Sequence, residues 1–291
     1  MTDPRIPQAA YDLYDEYCHG GMDRRAFFGR LGALSLGGLS VSACASALMP
    51  DYAKARQVDP ADPGITTERF AYGSPEGGGE ISGLMAMPAG SAAAPAVLVV
   101  HENRGLNPYI EDVARRLAKA GYLALAPDAL SPLGGYPGTD DEGRAMQRQR
   151  DRGEMLQDFL AGARAVRGHP RSTGRLGAVG FCYGGAVCHD LAVRMTDIQA
   201  VVPYYGGWPE AEEAARVSCP VMVQLAGLDD RVNAGWPAYE AALMAAGKTY
   251  SAHVYEGVNH GFHNDSTSRF DEAAARLSWD RTLAFFGEYL R

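Results

Sequence analysis

The run AVLVV at residues 96–100 is apolar at every position, and LALAP repeats the pattern at 123–127. A strand with one wet face alternates apolar and polar side chains; an unbroken short apolar run has to be covered on both faces. Further candidate strands follow at RLGAVGF, IQAVVPYY, PVMVQLAG and YSAHVYEG, between stretches with helical spacing such as IEDVARRLAKAG and PAYEAALMAAG. Alternating buried strands and helices predict an α/β fold with a mostly parallel central sheet flanked by helices on both faces. RFAYGS and ISGLMAMPA, joined by the Gly-rich PEGGGE, predict a leading β-hairpin. No repeat and no linker interrupts residues 67–291, which are expected to form one domain.

The chain has 291 residues, 46% of them apolar, and a formal net charge of -8, which argues against nucleic acid as a partner, since phosphate binding needs clustered Lys and Arg. No nucleic-acid partner is expected. The five cysteines (18, 44, 182, 188 and 219) form no C-x-x-C pair, and the seven histidines show no ligand spacing, so neither a disulfide framework nor a metal is implied. No phosphate-cradling or dinucleotide motif is present, and no organic cofactor is expected.

The first 66 residues read differently. Residues 1–21, containing YDLYDEYCHGG, predict a helical extension. In residues 22–49, Arg24-Arg25 and Phe27-Phe28 precede residues 31–50, which carry no charge. This resembles a twin-arginine export signal, with Ala45 and Ala47 as an A-x-A-like cleavage site and Cys44 in a lipobox-like VSAC. The alternative is an apolar helix retained on the body. The first reading places the protein in the periplasm, the second in the cytoplasm; either way a membrane is met only through this segment. Residues 50–66, with Pro50, Pro60, Pro63 and Gly64, read as a linker.

Chemistry is concentrated in GFCYGG, residues 180–185. Cys182 stands between a predicted strand and a predicted helix, where a sharp turn projects a nucleophile and small residues two before and two after let strand and helix approach. A small buried thiol would satisfy the same letters, so the partners decide. On such a sheet the order is nucleophile, acid, histidine, each after a strand. Asp229 follows PVMVQLAG, with Asp230 one residue further into the loop. His260 follows YSAHVYEG, with His263 as the second candidate; His169, His189 and His253 read as structural or surface residues. Cys182, Asp229 and His260 form the expected triad, and the N–H of Tyr183 is one half of an oxyanion hole.

From about residue 67 onward, HENRGLNPYIEDVARRLAKAGYLALAPD, VGFCYGGA, VVPYYGG, LAGLDDRV and HGF resemble the dienelactone hydrolase (carboxymethylenebutenolidase) family of the α/β-hydrolase superfamily. The resemblance implies a cysteine-dependent hydrolase of small esters or lactones. It implies that Glu102 contacts the thiol and controls its ionisation, and that Asn103 supplies the second oxyanion N–H. The family's substrate-binding arginine after the histidine is replaced here by Asn264, while Arg144 is a weakly aligned match to another; Tyr204 and Tyr205 are candidate pocket residues. Alternatives are a broader carboxylesterase or acyltransferase, and a non-catalytic envelope-associated binding protein on the same fold.

Overall fold

A computed structural model describes residues 6–34, 38–53 and 55–291. Three helices come first: α1 (Gln8–His19), α2 (Arg24–Gly32) and α3 (Val41–Leu48). The body then runs β1 (Ile65–Ser74), β2 (Gly79–Pro88), β3 (Ala94–Val100), α4 (Pro108–Lys119), β4 (Leu123–Pro127), α5 (Asp140–Gln147), α6 (Arg152–Arg167), β5 (Ser172–Phe181), α7 (Tyr183–Arg194) and β6 (Ala200–Tyr204). It closes with β7 (Val221–Ala226), α8 (Asp230–Asn233), α9 (Trp236–Ala245), β8 (Tyr250–Tyr255) and α10 (Glu272–Leu290).

The eight strands form one sheet in the order β1-β2-β4-β3-β5-β6-β7-β8. The β1–β2 hairpin is antiparallel and joins β4 antiparallel. All other pairings are parallel. The unbroken apolar runs have the expected cause. Ala96, Leu98 and Val100 of β3 belong to one core with residues of α6 and α7, whereas Val97 and Val99 belong to a second core with residues of α4 and α10. Because a strand's side chains alternate, each run feeds two cores.

Strand order reverses at β3: the chain leaves it toward β4 on one side and later returns as β5 on the other. In open α/β sheets the crevice beyond the carboxyl ends at such a switch point is where ligands bind. The residues just past those two ends are His101–Asn103 and Cys182.

The N-terminal segment forms a third apolar cluster of its own, including Tyr14, Tyr17, Phe27, Leu31, Cys44 and Leu48. Tyr17 stacks on Phe27 at 4.7 Å between ring centres. Residues 22–49 do not make the single apolar helix that the retained-segment reading expects; residues 35–37 of that span lie outside the described residues, as do residues 1–5 of the 1–21 extension. Asp23 caps the start of α2 by accepting from Ala26 N, and Ser40 caps α3 by accepting from Ala43 N, so the chain starts a second helix there. Among the described residues no helix is long and apolar enough to cross a membrane. The stretch read as a linker is docked along much of its length: Asp51 N donates to Ser266 O, Tyr52 to the Asp140 carboxylate, and the amides of Gln57 and Val58 to the buried Asp112 carboxylate. β1 begins at Ile65, two residues before the expected domain start.

Candidate active site

Cys182 occupies the turn between β5 and α7 with φ 57° and ψ -113°, one of only two non-glycine residues with positive φ among those described. Such a conformation is strained for an L-residue and persists where the surroundings impose it. They do so through two close approaches. A Cβ on Gly180 would lie 2.0 Å from Gly184 O, and one on Gly184 would lie 2.2 Å from Val100 O. Strand β5, helix α7 and strand β3 therefore meet in backbone contact, and the chain has to bend sharply at residue 182. Tyr183 is the first residue of α7, so its N–H has no acceptor within the helix and points with the helix's positive end toward the crevice. Asn103 lies on the loop past β3, and its side-chain amide donates to Cys18 O.

His260 and Asp229 come together from the loops after β8 and β7. His260 Nδ1 lies 2.6 Å from Asp229 Oδ2, and both side chains are buried. Burial alone would raise the Asp229 carboxyl, but the His260 imidazole, by charge and hydrogen bond, and then the Arg231 charge bring it below the ordinary value. Asp230, the other carboxyl in that loop, is exposed and starts α8. Held by Nδ1, the imidazole presents Nε2 to the interior, where that atom is buried without a hydrogen-bond partner. A ring nitrogen of His260 and Cys182 Sγ lie within 4.8 Å of each other. His263, the second candidate, lies apart from this pair: it is buried, shares a hydrogen bond with Tyr109 Oη through Nδ1 at 2.7 Å, and packs against Phe181, Tyr204 and Trp279. His189 is wedged against Trp208 and Tyr239, and burial pushes its pKa down to about 3.

Other expected site residues are placed differently. Glu102 is buried, yet its carboxylate accepts from Asn264 Nδ2 at 3.0 Å, with Arg104 Nε 3.8 Å away, and the described hydrogen bond to the thiol comes from elsewhere. Asn264 thus holds Glu102 instead of lining a substrate pocket. Tyr204 is a core residue: it points into the α10 layer and shares a hydrogen bond with Thr282 Oγ1. Its neighbour Tyr205, at φ 36°, turns toward the site and lies 4.8 Å from the His260 ring centre. A strand end presents successive side chains to opposite sides, which separates the two tyrosines. Arg144 is buried on α5, donates to Cys18 Sγ and Asp141, and stacks over the Tyr17 ring at 4.4 Å.

The thiol's hydrogen-bond partner is a residue for which the sequence holds no signal. His19, at the end of α1, sets Nε2 3.0 Å from Cys182 Sγ, and its ring stands edge-on to His260 at 4.7 Å. Its Nδ1 lies 2.9 Å from the Asp15 backbone carbonyl and 3.1 Å from the Asp15 carboxylate, which also pairs with Arg231 and Arg269. Burial opposes protonation of His19, but the negative charge of an ionised Cys182 sulfur and the Asp15 hydrogen bond raise its pKa above the ordinary value. Helix α1 thereby covers Cys182, leaving it 6% exposed. Beside it a cavity of about 300 Å³ is lined by His19, Asn103, Tyr183 and the arginines 144, 148 and 150.

Comparison with known proteins gives the family of the body. Residues 81–290 match the family model described as the dienelactone hydrolase family, and residues 1–34 match a second model described as YqhI-like. A fragment from Escherichia coli strain K12, named as a hydrolase and called YghX, is 63% identical over 105 residues, covering 36% of this chain and 90% of its own length. The carboxymethylenebutenolidase of Pseudomonas putida is 29% identical over 214 residues, covering 69% of this chain and 89% of its own. A crystal structure from Klebsiella pneumoniae assigned to the dienelactone hydrolases superposes with a TM-score of 0.69 at 26% identity, over 77% of this chain and 99% of its own.

Proposed function

The chain belongs to the dienelactone hydrolase family, an α/β-hydrolase that acts on carboxylic esters or lactones, and we propose that it does so with Cys182 as nucleophile, His260 as general base and Asp229 as the group that orients the imidazole. The observation that carries this reading is the Asp229–His260 hydrogen bond of 2.6 Å, which aims a buried, unpartnered Nε2 toward the sulfur on its strained bend.

The proposed steps balance as follows. His260 Nε2 takes the thiol proton as the sulfur attacks the carbonyl carbon, and the N–H groups of Tyr183 and Asn103 hold the resulting oxyanion. His260 returns the proton to the departing alkoxide, leaving a thioester. Water then loses a proton to the same nitrogen, attacks the thioester carbon, and the acid departs as the thiol reforms. Asp229 remains ionised throughout and stabilises the imidazolium. The arginine-lined cavity beside Tyr183 supports a small substrate carrying a carboxylate.

The test is turnover of p-nitrophenyl acetate and a panel of short esters and lactones by the full chain, with and without iodoacetamide. Turnover that alkylation abolishes is expected. No turnover of any panel member would favour the alternative of a binding protein on this fold.

The N-terminal segment is proposed to remain in the working protein, in the periplasm if Arg24-Arg25 directs export and in the cytoplasm if it does not. Cleavage after Ala47 would remove Asp15, Cys18 and His19 and strip partners from Arg144, Arg231, Arg269 and Cys182. Intact mass of the protein from fractionated native cells is expected to include these residues; a species beginning after Ala47 overturns the proposal.

A further inference from the structure

Three metal-ligating atoms converge at the nucleophile. One ring nitrogen of His19, one of His260 and Cys182 Sγ all lie within 4.8 Å of one another. We propose that they form a site for a divalent transition ion of the zinc class, three-coordinate in protein with a fourth position open. The site stands on this geometry; only its consequence for turnover rests on the hydrolase reading.

A Cys–His pair alone is what a thiol hydrolase requires and supplies two ligands. The third arrives from α1, 163 residues away along the chain. Both imidazoles are held in the manner of zinc-bound histidines, each by its Nδ1: His260 by the Asp229 carboxylate at 2.6 Å, His19 by the Asp15 backbone carbonyl at 2.9 Å with the Asp15 carboxylate at 3.1 Å. That anchoring leaves both Nε2 atoms to share one sulfur. His19 Nε2 shares a hydrogen bond with it at 3.0 Å; His260 Nε2 is buried with no partner. A cation satisfies all three donors together.

The donor set also fits. One thiolate and two imidazoles with an open position are a catalytic-type zinc set. With Zn–S near 2.3 Å and Zn–N near 2.0–2.1 Å, tetrahedral geometry sets sulfur and nitrogen roughly 3.6 Å apart; His19 Nε2 starts 3.0 Å from the sulfur, and the three donors lie within 4.8 Å of one another, so side-chain adjustments on the order of an ångström or less close the set. Charge does not forbid it: Asp15, Asp229 and the thiolate offset Arg231 and Arg269, which pair with Asp15. Cavities of about 300 and 430 Å³ flank His19, giving the ion a way in.

Binding exchanges the S–H bond for an S–metal bond and releases that proton to solvent. The sulfur lone pair and His260 Nε2 are then both occupied, so the ion silences the thiol reversibly. Zinc and cobalt(II) titrations of the chelator-treated full chain test this. One equivalent of Zn²⁺ is expected to bind with proton release and to protect Cys182 from iodoacetamide. Co²⁺ should give a sulfur-to-cobalt charge-transfer band that Cys182→Ser lacks.

Affinity should fall by on the order of 100-fold or more in His19→Gln and by about 10-fold in Asp15→Asn, which keeps the ligand and the backbone contact to its Nδ1 but removes the carboxylate. Circular dichroism and a thermal melt confirm that each variant folds; should His19→Gln fail to fold, Asp15→Asn carries the comparison. Absence of the cobalt band, or Zn²⁺ binding equal in wild type and the folded His19 or Asp15 variants, overturns the site. Neither readout uses ester hydrolysis, so an enzyme inactive on every ester still tests it.

Discussion

Cys182→Ala is expected to lower turnover of short esters by on the order of 10⁴-fold or more, since members of a nucleophile–base–acid unit act together and removing the attacking atom removes the covalent route. The amides of Tyr183 and Asn103 would remain, so the residue of activity should be that of oxyanion stabilisation and binding alone. Folding should survive. The sulfur's described hydrogen bond is to His19, and its loss is worth about 1 kcal/mol. Alanine also fits a site where the φ of 57° is imposed by the backbone of β5 and α7. Steady-state rates paired with a melting curve read both quantities. A folded Cys182→Ala protein within tenfold of the wild-type rate would show that another group attacks.

Gly180→Ala should produce the largest loss of stability of any single methyl addition near the site. The new Cβ would sit 2.0 Å from Gly184 O, 2.4 Å from its carbonyl carbon and 2.9 Å from Cys188 Sγ. Two of those three atoms are backbone and cannot rotate away, so the strand–helix crossing itself would have to open. Overpacking a side chain typically costs about 1–3 kcal/mol; a backbone clash at the base of the elbow is expected to reach about 3–5 kcal/mol, a large fraction of a total stability of about 5–15 kcal/mol. Gly207→Ala is the control, because its Cβ would meet only Ala186 Cβ at 3.9 Å. Urea unfolding at unchanged m value measures both. A Gly180→Ala midpoint shift no larger than that of Gly207→Ala would show that the close approach is not what holds the bend.

Most of the body was legible because each cue is local. A strand covered on both faces must be apolar throughout, so AVLVV and LALAP announce their burial. A strand meeting a helix at a bend needs glycine at fixed offsets, so GFCYGG announces a close crossing. The order Cys182, Asp229, His260 follows from strands that all deliver their carboxyl ends to one edge. The Asp229–His260 pair lies where that rule puts it.

The letters say less where one element covers another. Residues 22–49 carry the composition of an export signal, but composition does not say whether apolar side chains face lipid or one another; here Phe27, Leu31, Cys44 and Leu48 share a cluster with α1. Tyr204 and Tyr205 look equivalent as letters, and the alternation at a strand end sends the first into the core and the second toward His260. Asn264 appears as a lost arginine, yet in space it is the hydrogen-bond donor to the buried Glu102.

From its letters alone the chain determines a doubly covered parallel sheet, a cysteine at the elbow, and an acid and a histidine in order behind it, since these depend on periodicity and local backbone geometry. Only the tertiary structure decides that His19 and Asp15 join them. That contact depends on where α1 docks, and docking is set by the fit of two surfaces far apart in the chain, which no spacing within either one encodes.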